Sequence, residues 1–287
     1  MANLKEIRTR ISSVNSTKQI TSAMKMVSAA KLRKAQDAII QLRPYANKLH
    51  EILSDISQNI DSTEDNIYAQ QRELKKVLII PITSNRGLCG AFNTNVIKKS
   101  LNIAQEKFSS VDVSYLAIGK KSRDFFKNPR FKMINNYTEI FDELNFTTAS
   151  EIADSVMQYF EEKKFDKIIL VYNQFKNAGV QILTEEQFLP IVSETEKSKF
   201  QKDYIFEPNS EYIVQQLIPK SLKIQFFKAL LDSNASEHGA RMTAMHKATD
   251  NATELLKALR LNYNKARQAA ITNEILEIVG GAEALKG

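Results

Sequence analysis

Leu32-Arg33-Lys34-Ala35-Gln36-Asp37-Ala38-Ile39-Ile40-Gln41-Leu42 opens a run whose apolar residues recur at alternating spacings of three and four: Leu32, Ala35, Ile39, Leu42, Ala46, Leu49, Leu53, Ile56 and Ile60. A repeat averaging about 3.5 residues keeps one seam facing a partner only if two helices wind around each other, so it predicts a left-handed coiled coil. Pro44 lies inside the run, yet the heptad continues past it in phase, which predicts a local kink and not a helix end. Upstream, Leu4, Ile7, Ile11 and Val14 hold the same spacing. The polar stretch Asn15-Ser16-Thr17-Lys18-Gln19 interrupts the stripe, which is expected to resume at Ile20, Met24 and Val27. A helix over 3–59 would be about 85 Å long.

The other end of the chain mirrors this one. Pro208-Asn209-Ser210 reads as a helix start. A second heptad follows at Met242, Met245, Thr249, Ala252, Leu256, Leu259, Tyr263, Ala266 and Ala270. A helix over 210–285 would be about 110 Å long. Thin stripes do not hold helices of such length alone, so the economical arrangement pairs them antiparallel. Flush at one end, the C-terminal helix then outruns its partner by roughly 25 Å, over about residues 269–287. That tip carries Ile271, Ile275, Leu276, Ile278, Val279, Ala282 and Leu285, an apolar surface in need of a partner.

Between the helices the pattern changes. Lys76–Ile82, Val111–Gly119 and Asp166–Tyr172 are short apolar runs of the buried-strand type, and Val180–Thr184 suggests an edge strand. Helical patterns near 92–108 and 148–163 alternate with them, which predicts an α/β domain with a largely parallel sheet. The expected division is a coiled-coil helix over 1–60, an α/β domain over 75–190, a polar linker over 191–207, and a second coiled-coil helix over 208–287 that pairs with the first. All-β folds need many turn residues, so the scarcity of Gly at 8 and Pro at 6 favours long helices.

The net charge of +7 is concentrated at the start: residues 1–59 hold 10 Lys/Arg against 4 Asp/Glu. Such an arm suits nucleic acid, an anionic membrane surface or an acidic protein partner. The first 44 residues contain no aromatic side chain for stacking on bases, which weighs against the alternative of a nucleic-acid-binding protein with a basic coiled-coil arm. The lone cysteine, Cys89, permits no intrachain disulfide. No signal-peptide pattern follows Met1, and no run approaches the roughly 20 apolar residues of a membrane span, so a cytoplasmic chain is expected.

The sharpest local motif is Ser84-Asn85-Arg86-Gly87-Leu88-Cys89-Gly90-Ala91-Phe92-Asn93, after a strand and before a helix. Phosphate loops occupy such places, but Gly87 and Gly90 lack a third glycine and no Lys-Ser/Thr pair follows, so a nucleotide-dependent enzyme is not indicated. Cys89 has no histidine near it in sequence to serve as a base, and reads as core packing. His238 and His246 stand eight apart on a predicted helix, without a carboxylate at ligand spacing. Adjacent pairs such as Glu161-Glu162 diverge. No catalytic residue, metal site or cofactor is expected.

Two terminal stretches carry a resemblance. The first contains Ile20-Thr21-Ser22-Ala23-Met24-Lys25-Met26-Val27-Ser28-Ala29-Ala30-Lys31. The second runs from Glu237-His238-Gly239-Ala240-Arg241-Met242 to Ala284 and includes Ile271-Thr272-Asn273-Glu274-Ile275-Leu276-Glu277-Ile278-Val279-Gly280-Gly281-Ala282-Glu283-Ala284. Together they resemble the γ subunits of bacterial F-type ATP synthases, and Ser84–Gly90 is similar to that family's central turn, with Asn85 where the family usually has Asp. The resemblance implies a non-catalytic central stalk, present once per complex. Its terminal helices would form an antiparallel coiled coil inside a hexamer of α and β subunits. Its middle domain, Rossmann-like but without a nucleotide, would meet the ε subunit and the membrane c-ring. It implies a peripheral location on the cytoplasmic face of the bacterial inner membrane, no nucleic acid and no membrane insertion. Matching motif by motif, it implies coupling contacts at Met24, Arg241, Gln268, Thr272 and Glu274, and an apolar bearing at Ile275, Ile278, Val279, Ala282 and Leu285.

Overall fold

The computed structural model describes residues 4–59, 67–191 and 210–284. The expected linker lies beyond Ile191 outside the described residues, as do Ile60, the helix-start residues Pro208 and Asn209, Leu285, and the side chains of Leu53 and Ile56.

Helix α1 (Leu4–Asn59) continues through Pro44, and helix α5 (Ser210–Ala284) continues through Pro219. By internal contacts the chain divides into two units, Met1–Ser28 with Met242–Gly287, and Ala29–Arg241. In the first unit Thr249 Oγ1 donates to Thr21 Oγ1 at 2.8 Å and Lys25 Nζ approaches His246 Nδ1 at 3.4 Å. As one position rises the other falls, so the helices are antiparallel.

The seam in this unit differs from the expected stripe. Ile20 and Val27 are 60% and 57% exposed, whereas Thr21 and Ser28 are 8% and 3% exposed. The inward positions are Leu4, Ile7, Ile11, Val14, Lys18, Thr21, Lys25 and Ser28, so the heptad runs on without a break through polar residues. A reading that follows apolar residues alone slips by one position here, placing the exposed Ile20 and Val27 beside the half-buried Met24. On α5 the inward residues run from Met242 to Ala266 as expected, but Ala270 is exposed. The register of Thr21 with Thr249 sets Leu4 level with Ala266, so beyond that point α1 offers nothing to bury against.

The second unit is built on one sheet: β1 (Lys76–Pro81), β2 (Asp112–Ile118), β3 (Lys132–Tyr137), β4 (Lys167–Asn177) and β5 (Val180–Leu189), in the order β3-β2-β1-β4-β5. The first four strands are parallel, and β5 returns antiparallel to β4. Helices α2 (Phe92–Lys107), α3 (Lys120–Phe126) and α4 (Phe146–Glu161) fill the crossovers. Strand alternation sorts the core: Val77 and Ile79 pack with Val96, Ile103, Tyr115 and Phe126 on one face. Leu78, Ile80 and Ile82 pack with Val156, Phe160, Leu222 and Phe226 on the other. Central β1 is buried on both faces, which is why it reads as an unbroken apolar run.

Candidate functional site

The turn after β1 is held from four directions. Thr83 N–H bonds Ile118 O at 2.9 Å, tying the end of β1 to the end of β2. Asn93, in the first turn of α2, accepts Ser84 N–H at 2.9 Å and donates to Ser84 Oγ at 2.9 Å and Cys89 Sγ at 3.2 Å. Asn85 donates to Thr138 O at 2.6 Å and accepts Lys120 N–H at 2.9 Å. Gly119 enters α3 with φ +91°, and a Cβ there would sit 2.1 Å from Thr83 O, so only glycine fits.

The fourth hold comes from α5. Arg241 is 7% exposed, not a solvated group on the coil. Its guanidinium donates to Arg86 O at 3.1 Å and to Gly87 O at 3.3 Å, and it pairs with Glu237 one helical turn back at 2.7 Å. Arginine has only donors, so the 3.4 Å contact of Arg241 with His238 Nδ1 makes that nitrogen an acceptor. Burial, with Arg241 and Lys31 nearby, pushes His238 down to about 4 and keeps it neutral at pH 7. Burial raises Glu237 against the pull of Arg241, Lys31 and Arg86. At the tip of the turn Leu88 has φ +61° and is 65% exposed.

The other expected contacts are distributed differently. Met24 on α1 is half-buried, and its carbonyl accepts Ser28 Oγ at 2.7 Å. Gln268, Thr272 and Glu274 are exposed near the end of α5, as are Ile275, Ile278, Val279 and Ala282. Every residue from Arg267 to Glu283 is exposed. Glu237 and Leu88 were not singled out from sequence. The i,i+4 spacing of Glu237 and Arg241 was the available signal for the first, and nothing local marks a leucine for positive φ.

The chemistry of the domain is quiet. Burial raises the Cys89 thiol, the reverse of an activated thiolate. A cleft of about 640 Å³ beside β3 is lined by Thr138 and by Glu139, Asp142, Glu143 and Glu151, four carboxylates that would repel a nucleotide's phosphates. Among the described residues no group of three His, Cys, Asp or Glu could hold a metal ion, and no helix is long and apolar enough to cross a membrane.

Comparison with known proteins agrees across the full length. A sequence-family model described as ATP synthase matches residues 3–285. The ATP synthase gamma chain of Christiangramia forsetii is 59% identical over 287 residues, covering 100% of both chains. That of Flavobacterium johnsoniae is 60% identical over 288 residues, again covering 100% of each. Among solved structures, a chain of the Tetrahymena thermophila mitochondrial ATP synthase central stalk and c-ring superposes with TM-score 0.59 at 26% identity, covering 80% of this chain and 99% of that one. A chain of the Euglena gracilis OSCP/F1/c-ring assembly superposes with TM-score 0.69 at 22% identity over 98% and 94%, a likeness of fold.

Proposed function

The chain belongs to the ATP synthase gamma chain family, and from that membership we propose how this central-stalk rotor subunit couples ion flow to nucleotide turnover. The family assignment gives no support to the alternative of a nucleic-acid-binding coil. Its partners are the α and β subunits of the hexamer and the membrane c-ring, as in the complexes of its structural neighbours. The ε subunit and a stoichiometry of one per complex belong to the same proposal. So does a peripheral place on the cytoplasmic face of a bacterial inner membrane, supported by the bacterial relatives.

The subunit carries no catalytic step of its own in this reading. Each β subunit meets a different side of an asymmetric coil, and the coil's angle biases each β among open and closed states through the difference in contact energy. Rotation passes the bias from one β to the next. Ion flow turns the coil one way and ATP hydrolysis the other. Met24, Gln268, Thr272 and Glu274 are proposed to meet the stator directly. Ile275, Ile278, Val279, Ala282 and Leu285 are proposed to form a bearing, because apolar contact is non-directional and is remade at any angle.

The observation that carries this reading is the end of α5. It continues past the last residue of α1 that could cover it, and its apolar residues stay in solvent. Co-expression with cognate α and β subunits tests it. The expected result is a complex with one copy of this chain per hexamer and ATPase activity that depends on its presence. A chain that elutes alone, with α and β indifferent to it, would overturn the rotor reading.

A further inference from the structure

Arg241 is matched to a coupling contact by sequence, yet its donors are spent inside its own chain. One guanidinium nitrogen pairs with Glu237 at 2.7 Å, and two others reach the carbonyls of Arg86 and Gly87 at 3.1 to 3.3 Å. Both charged side chains are 10% exposed or less, so the pair is fixed in place by packing. The next residue, Leu88, stands in the left-handed region at φ +61° and is 65% exposed. A γ-branched side chain adopts that backbone only when its surroundings hold it there, and such outliers gather where a fold presents something.

We infer that Arg241 is a positioning residue: locked by Glu237, it grips the 86–87 carbonyls and presents Leu88 as a fixed apolar knob toward the stator. This rests on the rotor reading above. Coupling needs contacts that differ with rotor angle, and a side chain free to swing would average that difference away. Arg241 therefore acts through Leu88 and not by reaching the stator itself. Its fork geometry suits two carbonyls at once, which a lysine ammonium does not reproduce.

The chain's single cysteine is a built-in reporter, because Cys89 adjoins Leu88 and is 2% exposed. N-Ethylmaleimide alkylation of the Cys89 peptide is measured by mass spectrometry in the free full-length chain and in the assembled complex. Ions pumped per ATP hydrolysed are measured in proteoliposomes. Arg241→Gln is expected to speed Cys89 alkylation about tenfold, the loss of a charge-assisted hydrogen bond. The Arg241 charge favours the Cys89 thiolate, so its removal alone would slow the reaction, and acceleration reports opening of the turn. The same variant is expected to lower the pumping ratio by about half, a reduced angular bias. Arg241→Lys falls between it and wild type.

Leu88→Asn keeps a residue that tolerates positive φ and removes the apolar knob. It is expected to leave Cys89 protected while lowering the pumping ratio, and combining it with Arg241→Gln lowers the ratio no further. If Arg241→Gln uncouples while Cys89 stays protected and Leu88→Asn couples normally, Arg241 meets the stator directly and the inference is overturned. Normal coupling in Arg241→Gln also overturns it. Should that variant not assemble, Arg241→Lys and Leu88→Asn decide: a protected Cys89 in the first or full coupling in the second sinks the idea. A wild-type chain that does not join α and β is a separate failure, of the rotor reading, visible without any variant.

Discussion

Asn85 spends its amide nitrogen on Thr138 O at 2.6 Å and its carbonyl on Lys120 N–H at 2.9 Å. An aspartate, usual there in the family this chain resembles, accepts the second bond but has nothing to donate in the first. Asn85→Asp is therefore expected to cost about 1–3 kcal/mol at pH 7, read as a lower urea midpoint at unchanged slope. The loss shrinks at acid pH, where the protonated acid regains a donor. Arg43 poses a related case: it donates to Asp232 at 3.3 Å and to Phe175 O at 3.0 Å. Burial holds the Asp232 carboxyl above its ordinary range, opposed by Arg43 and Lys228. A raised folded pKa means the unfolded chain loses this proton first, so the group's contribution to stability is full below the unfolded pKa and is lost as pH rises through the folded one. Arg43→Ala takes away the direct ion-pair partner of that buried carboxylate, and is expected to cost roughly 1–3 kcal/mol at neutral pH and less on acidification, by denaturant titration at several pH values. Neither pair was legible in the sequence, because the partners lie 53 and 189 positions apart and no local pattern links them.

Elements were more legible where one physical rule governs many residues. Strands β1, β2 and β4 are apolar on both faces, and their runs located them. Strand β3, Lys-Met-Ile-Asn-Asn-Tyr, was missed because it is an edge strand of alternating half-exposed residues, and polar edges protect a sheet from stray pairing. The short helix α3 was missed because its seven residues complete no periodic stripe. In the first unit the helical seam was read one position off at Ile20 and Val27, because Lys18, Thr21, Lys25 and Ser28 hold the inward heptad positions there and only Met24 of the expected stripe is half-buried. A seam that buries Thr21 against Thr249 gives up apolar burial there. Thr21 donates to Lys18 O at 3.1 Å, and Met245 O lies 2.8 Å from Thr249 Oγ1, so each hydroxyl has an acceptor within its own helix. Replacing both by valine removes the polar pair together and strands neither partner, which is the substitution that escapes an orphaned group. Thr21→Val with Thr249→Val is expected to stabilise the coil by about 1 kcal/mol, seen as a higher melting temperature. A lower melting temperature would mean the hydroxyls secure the register.

For the whole molecule the composition already pointed to stiffness without chemistry: few turn residues, two long heptads, and a phosphate-loop position that lacks the residues to bind phosphate. The uncovered tip was legible too, because two helices of unequal length set flush at one end leave about residues 269–287 unpaired, and every residue from Arg267 to Glu283 is exposed. In the first unit Ile271, Ile275, Ile278, Val279 and Ala282 share one face of α5 and are all exposed, Ile275, Ile278 and Val279 by 54%, 65% and 53%. An apolar stripe at helical spacing normally finds its cover within the fold, and here the chain provides none among the described residues. Removing side chains that stand largely in solvent has little effect on folding, so this face separates stability from function. The triple change Ile275→Ser, Ile278→Ser and Val279→Ser is expected to shift the stability of the free chain by no more than about 0.5 kcal/mol at each position. In the assembled complex the same change removes the proposed bearing, and ions pumped per ATP are expected to fall while hydrolysis persists. Melting curves of the free chain and proteoliposome pumping of the complex, made on the same preparation, decide it. A destabilised free chain would show that the stripe packs against its own fold. Unchanged stability together with unchanged coupling would remove the bearing and leave the rotor's stator contacts to the coil and the turn.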